Sequence, residues 1–550
     1  MPGRLILRLR SQLARFDAFD LASALLFSAL FVIVLLTVRD YAISNDEEVQ
    51  HRYGELILAY YASGMTDLTV FQFKNLYLYG GLFDVVAILL GRVIPADIYL
   101  IRHVLCAVIG VGGIAAVWAT ARLIAGPRAG AFAALALAVC GPWFGAMFNH
   151  TKDIPFAAAM MGATYFLLRA ARDLPRARLS DVLLFGLVLG AALGQRALGV
   201  FLLFYALIAV ALHAQPRPVI GRESARYVAR SLLSLLPGFV LGYLIMIAAW
   251  PWAVLDPFNP IRGLFAFAHF HYPIKTLLSG ETYLMADVPR WYVPVYLGIK
   301  LPLVLLFGAV LGLLLATGLK RSIFARAAER ARETAFIAFI ALFPVICEVT
   351  SHGPAFSGMR HFMFVVPPLA VLAGIGFDTA LRWIEARRRA LAHAAAAALG
   401  VWFLFTASVL VRLHPYEYLF FNPIVGGLSG AAQRYDTDYW VNGMHEMVAE
   451  LESFLDRENP RSARTYFVAV CGERLPFEKE AEAHARLKWA TDDDPADFFI
   501  APTHQSCDTA IDGKVILKVE RMGVLIGVVK DRRLIIQQDL ARSRAPTSRK

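Results

Sequence analysis

Three consecutive acids, Asp46-Glu47-Glu48, follow the first long apolar run of the chain. They are the first groups placed to do chemistry. A carboxylate in a partly dry pocket can take a proton from a hydroxyl, and a neighbouring acid raises its pKa toward the working range. The competing role is structural, since acids also suit the first turn of a helix. His51, Arg52 and Glu55 follow at once. A second polar group is Asn149-His150-Thr151-Lys152-Asp153-Ile154-Pro155. Pro155 fits a first helical turn, and Asp153 or Thr151 fits an N-cap. The alternative is that Lys152 and Asp153 face the same cavity as Asp46.

Three further groups carry cations or imidazoles. The stretch 256–292 holds His269, His271, Tyr272, Lys275, Glu281, Tyr283, Asp287 and Arg290. His269 and His271 share a face only in an extended chain, where with one carboxylate they would hold a divalent metal. Aromatic anchoring at a membrane interface accounts equally well for the Phe, Tyr and Trp around them. His352-Gly353-Pro354 and Gly358-Met359-Arg360-His361 form the next group. Arg360 and His361 fit a phosphate through charge-assisted hydrogen bonds, and snorkelling is the other role open to Arg360. Glu348, inside an apolar run, calls for a cationic partner in this group. Arg196, after Gln195, and Lys74 have the same two roles as Arg360.

What must position these groups is a membrane bundle. The chain is 58% hydrophobic and only 18% charged over 550 residues, with mean hydropathy +0.55. The net charge of +11 does not indicate nucleic acid, because the Arg residues cluster in short loops between apolar runs. That is the positive-inside pattern. The first apolar run, 21–38, has no small-residue cleavage site after it and reads as an anchor, with Arg4, Arg8, Arg10 and Arg15 ahead of it in the cytoplasm. The basic loops 122–128, 169–178, 217–230, 320–332 and 382–389 are also assigned to the cytoplasm. The spans between them are 101–121, 129–147, 154–170, 179–194, 198–213, 231–255, 293–317, 334–351, 361–381 and 393–412. With the first run this makes about 11 crossings of roughly 20 residues, N-terminus in and C-terminus out. Residues 77–95 would break that parity if they spanned, and Asp84 lies within them, so they read as a helix along the outer interface. All five polar groups then fall on one outer face.

The chain therefore divides into a transmembrane unit, 1–412, an outer α/β unit, 413–540, and a disordered tail, 541–550. The second unit has an amphipathic helix near 443–457. Strand-like runs follow at 465–470, 498–501 and 515–529, with a charged, helix-prone stretch at 477–489. Cys106, Cys140 and Cys347 lie in spans as packing residues. Cys471 and Cys507 lie outside, where a disulfide can form. Acids and cations on one face of an apolar bundle suit a reaction on an anionic, lipid-linked substrate. Transporters more often place polar groups mid-span on broken helices. A flippase for a lipid-linked saccharide and a non-catalytic scaffold remain the competing classes.

The ordered motifs resemble the GT-C membrane glycosyltransferases, in the family 39-like branch that includes protein O-mannosyltransferases and the lipid A aminoarabinose transferase. The likeness rests on Asp46-Glu47 opening the first outer loop and on Lys152-Asp153-Ile154-Pro155. It rests also on Gly353 to Pro368 with its Gly-Met-Arg-His-Phe and Val-Pro-Pro, on His414 to Asn422, and on Tyr435 to Trp440. It covers most of 15–445. The resemblance implies inverting transfer from a polyprenyl-phosphate sugar on the outer face of a bacterial cytoplasmic membrane. Asp46 would be the catalytic base, with Glu47 and Asp153 as its catalytic partners. Glu48, Lys74, Lys152, Arg196, His269, His271, Arg360 and His361 would bind substrate. No cofactor is required, and a divalent metal at His269 and His271 is the one option. The chain departs from the family at Phe73-Lys74-Asn75-Leu76-Tyr77, where many relatives have His-Pro-Pro, and it lacks an inserted β-trefoil.

Overall fold

A computed structural model describes residues 17–214, 221–269, 272–316, 330–460, 464–482, 486–491 and 495–544. Among the described residues, seven helices are long and apolar enough to cross a membrane: Ala18–Asp40, Ile98–Ala125, Asp153–Arg172, Arg222–Ala249, Ala331–Ser351, Arg360–Glu385 and Arg389–Leu413. The protein is a multi-pass membrane protein. Local chemistry sets the helix ends. Asp97 caps Ile98–Ala125 by accepting from Tyr99 N at 2.9 Å and Leu100 N at 3.1 Å. Gly126, at φ +100°, then turns the chain into Pro127, which opens the next helix. The expected N-terminal Arg cluster lies outside the described residues.

Four of the eleven expected spans depart from a straight crossing. Leu179–Leu193 and Ala197–His213 are shorter apolar helices. The run 129–147 is two helices, Pro127–Ala138 and Gly141–Asn149, bent by 67°, and the run 293–317 is bent by 116° between Tyr292–Lys300 and Leu303–Leu314. Proline explains both breaks. Pro142 and Pro302 donate no hydrogen bond and disfavour helix in the residue before them. The segment after the last long helix then seals the breaks. Asn422 donates from Nδ2 to Gly298 O at 2.7 Å and to Leu301 O at 2.9 Å, and Lys300 Nζ donates to Tyr418 O at 2.8 Å. Glycine allows the approach on the other side, because a Cβ at Gly145 would lie 2.3 Å from Tyr418 N.

Residues 77–95 form a ten-residue helix, Leu82–Gly91, after a 3₁₀ turn. At 1.5 Å per residue this is about 15 Å, half of what a crossing needs. The stretch 256–292, read from sequence as a loop, contains a helix, Asn259–Ala268, and a hairpin of β1 (Lys275–Leu278) and β2 (Glu281–Leu284). Further on, a five-stranded sheet has the order β4-β3-β5-β7-β6. Its strands are β3 (Tyr466–Val470), β4 (Leu487–Trp489), β5 (Phe498–Pro502), β6 (Lys514–Arg521) and β7 (Val524–Asp531). Strands β4, β3 and β5 are parallel, while β7 and β6 are antiparallel to their neighbours. The run 515–529, read as one strand, is a hairpin. It turns at Met522 and Gly523, both with positive φ. The run 477–489 likewise splits, its first residues ending the helix Arg474–Ala481 and its last forming β4. The first four residues of the expected tail, 541–544, are helical, at the end of Arg533–Arg544. Cys471 and Cys507 are joined as a disulfide, with Cα atoms 6.1 Å apart.

Candidate active site

Arg102 is the buried centre of the end of the bundle opposite the basic loops. It sits one turn inside Ile98–Ala125 with no exposed surface. Its Nη2 lies 2.9 Å from Asp84 Oδ1 and 3.2 Å from Thr151 Oγ1, and its Nε lies 3.5 Å from Glu47 Oε1. Glu47 Oε2 accepts from Ser44 N at 2.8 Å and lies 3.1 Å from His103 Nε2. Thr151 donates to Gln50 Oε1 at 2.8 Å. One guanidinium thus ties together the first outer loop, the short Leu82–Gly91 helix and the 149–153 turn. Glu47 is fully buried, with Oε2 hydrogen-bonded in this network and Oε1 3.5 Å from Arg102 Nε, so the pairing of Asp46 and Glu47 in sequence separates into an open acid and an inward one.

Asp46 precedes the helix Glu47–Ala62 but makes no side-chain cap, so its carboxylate is not consumed by capping. Its side chain is 43% exposed and lies 3.5 Å from Arg360 Nη2. Arg360 is packed between aromatic faces, 4.3 Å from the Trp440 ring centroid and 5.3 Å from that of Phe356. His361 accepts from Arg360 Nε at 3.3 Å and sits edge-on to Phe356. The 149–153 turn adds two groups. Lys152 Nζ lies 4.1 Å from the Tyr79 ring centroid. Burial pushes its ammonium down to about 8, against the pull of Asp46. Asp153 is not the expected N-cap. It is the first helical residue of Asp153–Arg172, and its carboxylate pairs with Arg196. Thr151 likewise does not cap, being held by Arg102 and Gln50. Arg196 Nε makes no hydrogen bond. Tyr79, pushed up to about 12 by burial, feels Arg196, Arg360, Asp46 and Asp153 together.

Six of the sequence-predicted residues therefore meet: Asp46, Lys152, Asp153, Arg196, Arg360 and His361. Three cations face two carboxylates, which leaves one positive charge in excess when Lys152 is protonated. Other expectations part from this cluster. Lys74 is exposed on the loop before Leu76–Leu78, at φ +51°. Glu48 looks outward and feels Arg474 of the sheet unit. His269 ends Asn259–Ala268, with Nδ1 3.0 Å from Phe265 O. His271 lies outside the described residues, among which no three His, Cys, Asp or Glu gather as metal ligands. The charge acting on Glu348 is that of His352.

Below the cluster, an apolar trough of about 550 Å³ runs between helices. Leu82, Pro155 and Gln195 line its outer end, beside Asp153 and Arg196, and Trp118, Tyr165 and Phe166 line its inner end. Pro155 to Phe166 spans about 16 Å of helix at 1.5 Å per residue. Arg102 and Trp440 were not singled out from sequence. The signal for Arg102 was an ionisable pair, Arg102-His103, inside an apolar run. Trp440 had no local signal, since its partners lie 80 and 290 positions away.

Residues 98–245 match the family model described as dolichyl-phosphate-mannose-protein mannosyltransferase. The match takes in Arg102, the 149–153 turn and Arg196, and it accords with the resemblance to GT-C membrane glycosyltransferases. No curated protein matches the chain. Among solved structures, the chain is similar to ArnT from Cupriavidus metallidurans in the apo state. Identity is 16% and the TM-score 0.45, with 92% of this chain and 97% of that one covered. It is also similar to the archaeal oligosaccharyltransferase AglB from Archaeoglobus fulgidus, at 13% identity and TM-score 0.47, covering 88% and 70%. The arabinofuranosyltransferase AftD from Mycobacteria is similar at 11% identity and TM-score 0.41, covering 92% and 41%.

Proposed function

We propose that the protein is a membrane glycosyltransferase that moves a sugar from a polyprenyl-phosphate donor to an acceptor on the outer face of a bacterial cytoplasmic membrane. The observation that carries this reading is the junction of the apolar trough with the cationic cluster. A molecule that fills both is a long apolar chain with an anionic head. The trough takes the isoprenoid nearest the phosphate, and Arg196, Lys152 and Arg360 take the phosphate.

Asp46 is the one acid of the cluster with substantial exposure, and it acts as base. The acceptor hydroxyl oxygen bonds to the anomeric carbon, the bond from that carbon to the phosphate oxygen breaks, and the hydroxyl proton passes to Asp46. The lipid keeps its phosphate. A single displacement of this kind inverts the anomeric centre. Asp153 acts through Arg196, which it orients. Residues 413–540 form the outer unit that closes over the site.

Mass spectrometry of surface glycans and glycolipids tests the reading in three strains: wild type, a deletion, and the deletion carrying Asp46→Asn. A sugar-bearing product absent from both altered strains is expected. Full restoration by Asp46→Asn would remove Asp46 as base.

A further inference from the structure

Trp440 joins three outer segments. It belongs to the stretch after the last long helix and is 4% exposed. Its Nε1 donates to His150 Nδ1 at 3.2 Å, in the turn that also presents Lys152 and Asp153. Its ring face carries the Arg360 guanidinium at 4.3 Å. An indole N–H only donates, so His150 Nδ1 is the acceptor and the imidazole is neutral, with its proton on Nε2. His150 is itself fixed by aromatic edges, its ring lying 5.5 Å from Tyr418 and 5.1 Å from Trp440.

The backbone around Trp440 is held against its preference. Val441, the next residue, is at φ +57°. A β-branched side chain rarely adopts this left-handed conformation, which persists only where the surroundings impose it. Here Asp438 imposes it. Asp438 has no exposed surface, and its oxygens accept from Asn442 N at 3.0 Å, from Gly443 N at 3.2 Å and from the Tyr418 hydroxyl. The 438–443 loop is thereby wound so that the indole faces Arg360.

We propose that Trp440 is a positioning residue for phosphate recognition: its ring and its bond to His150 hold Arg360 where one guanidinium serves both Asp46 and the donor phosphate. The proposal rests on the polyprenyl-phosphate reading above. Arg360 Nη2 lies 3.5 Å from Asp46. A bound phosphate draws on the same cation, and the carboxylate is then free to accept a proton.

The test is equilibrium binding of undecaprenyl phosphate to the full chain in nanodiscs, alongside its thermal midpoint. Trp440→Leu removes the ring and is expected to weaken binding about 10-fold, and Trp440→Phe, which keeps a weaker ring, about threefold. Both variants should melt below wild type, Trp440→Leu the lower, because each leaves a cavity at a buried ring, so binding is read per folded molecule. Wild-type protein that fails to bind undecaprenyl phosphate overturns the donor reading, and the positioning role with it. Wild-type binding with an unchanged Trp440→Leu overturns the positioning role alone, as does equal weakening in Leu and Phe variants. Should Trp440→Leu fail to fold, Trp440→Phe decides: binding equal to wild type overturns the proposal.

Discussion

The two ends of the bundle differ in how they hold their cations. At the end with the basic loops, each of five arginines meets a carboxylate at hydrogen-bond distance. Arg122 grips Asp20 through two bonds of 2.8 and 2.9 Å, and Arg172 grips Glu333 through two of 2.6 Å. Arg128 and Arg382 share Asp378 at 2.7 and 2.8 Å, and Arg169 meets Asp181 at 2.8 Å. At the other end Arg196 still pairs with Asp153, but Arg360 lies on aromatic faces with Asp46 no closer than 3.5 Å, and Lys152 lies on Tyr79. The first pattern ties helices together and leaves little for a ligand. The second keeps cations desolvated but underused, which is what binding an anion requires. Arg102 belongs by chemistry to the first pattern although it sits at the second end: it holds the loops and leaves the cluster open.

That contrast can be broken most severely at Arg102. Arg102→Leu leaves Glu47 and Asp84 buried without their cation, a change that costs about 3–5 kcal/mol. Denaturant unfolding in detergent should show the loss, and it should be the largest of any single substitution named here. At the basic end, Asp20→Asn removes one side of a bidentate pair and should cost about 1–3 kcal/mol. Transfer per folded molecule should stay at the wild-type rate, because no ligand meets that pair.

A smaller effect is expected from pH at Lys152. Burial sets its pKa near 8, below its ordinary 10.5. The folded protein therefore loses stability as pH falls from about 10.5 to about 8, where the unfolded chain already holds the proton and the folded one does not, with no further loss below that, and a bound anion offsets the loss. Donor affinity should be flat below pH 8 and should fall above it, by up to about 10-fold per unit while proton uptake is coupled to binding. Lys152→Arg should abolish the upper limb. An unchanged profile would place Lys152 outside the donor site.

The apolar runs were legible in sequence because length and composition alone decide whether a helix can cross. Straightness was not legible. The bends at 139–140 and 301–302 depend on Pro142 and Pro302 but also on residues 417–422, which seal them from more than a hundred positions away. The acid cluster at 46–48 was visible, but its division of labour was not, because only the fold shows Glu47 turned to Arg102 and His103. The reading of Asp153 as a cap failed for the same reason, its partner being Arg196. The hairpin β1–β2 escaped notice because each strand is only four residues long, too short for an alternation to show.

The most direct test of Asp46 as base is release of polyprenyl phosphate from the lipid-linked sugar pool, measured by mass spectrometry with purified Asp46→Asn and Asp20→Asn side by side. Asp46→Asn should melt like wild type and turn over at least about 10²-fold more slowly, the size of a lost general base. Asp20→Asn should melt lower and turn over normally. Wild-type turnover by a folded Asp46→Asn would contradict the account.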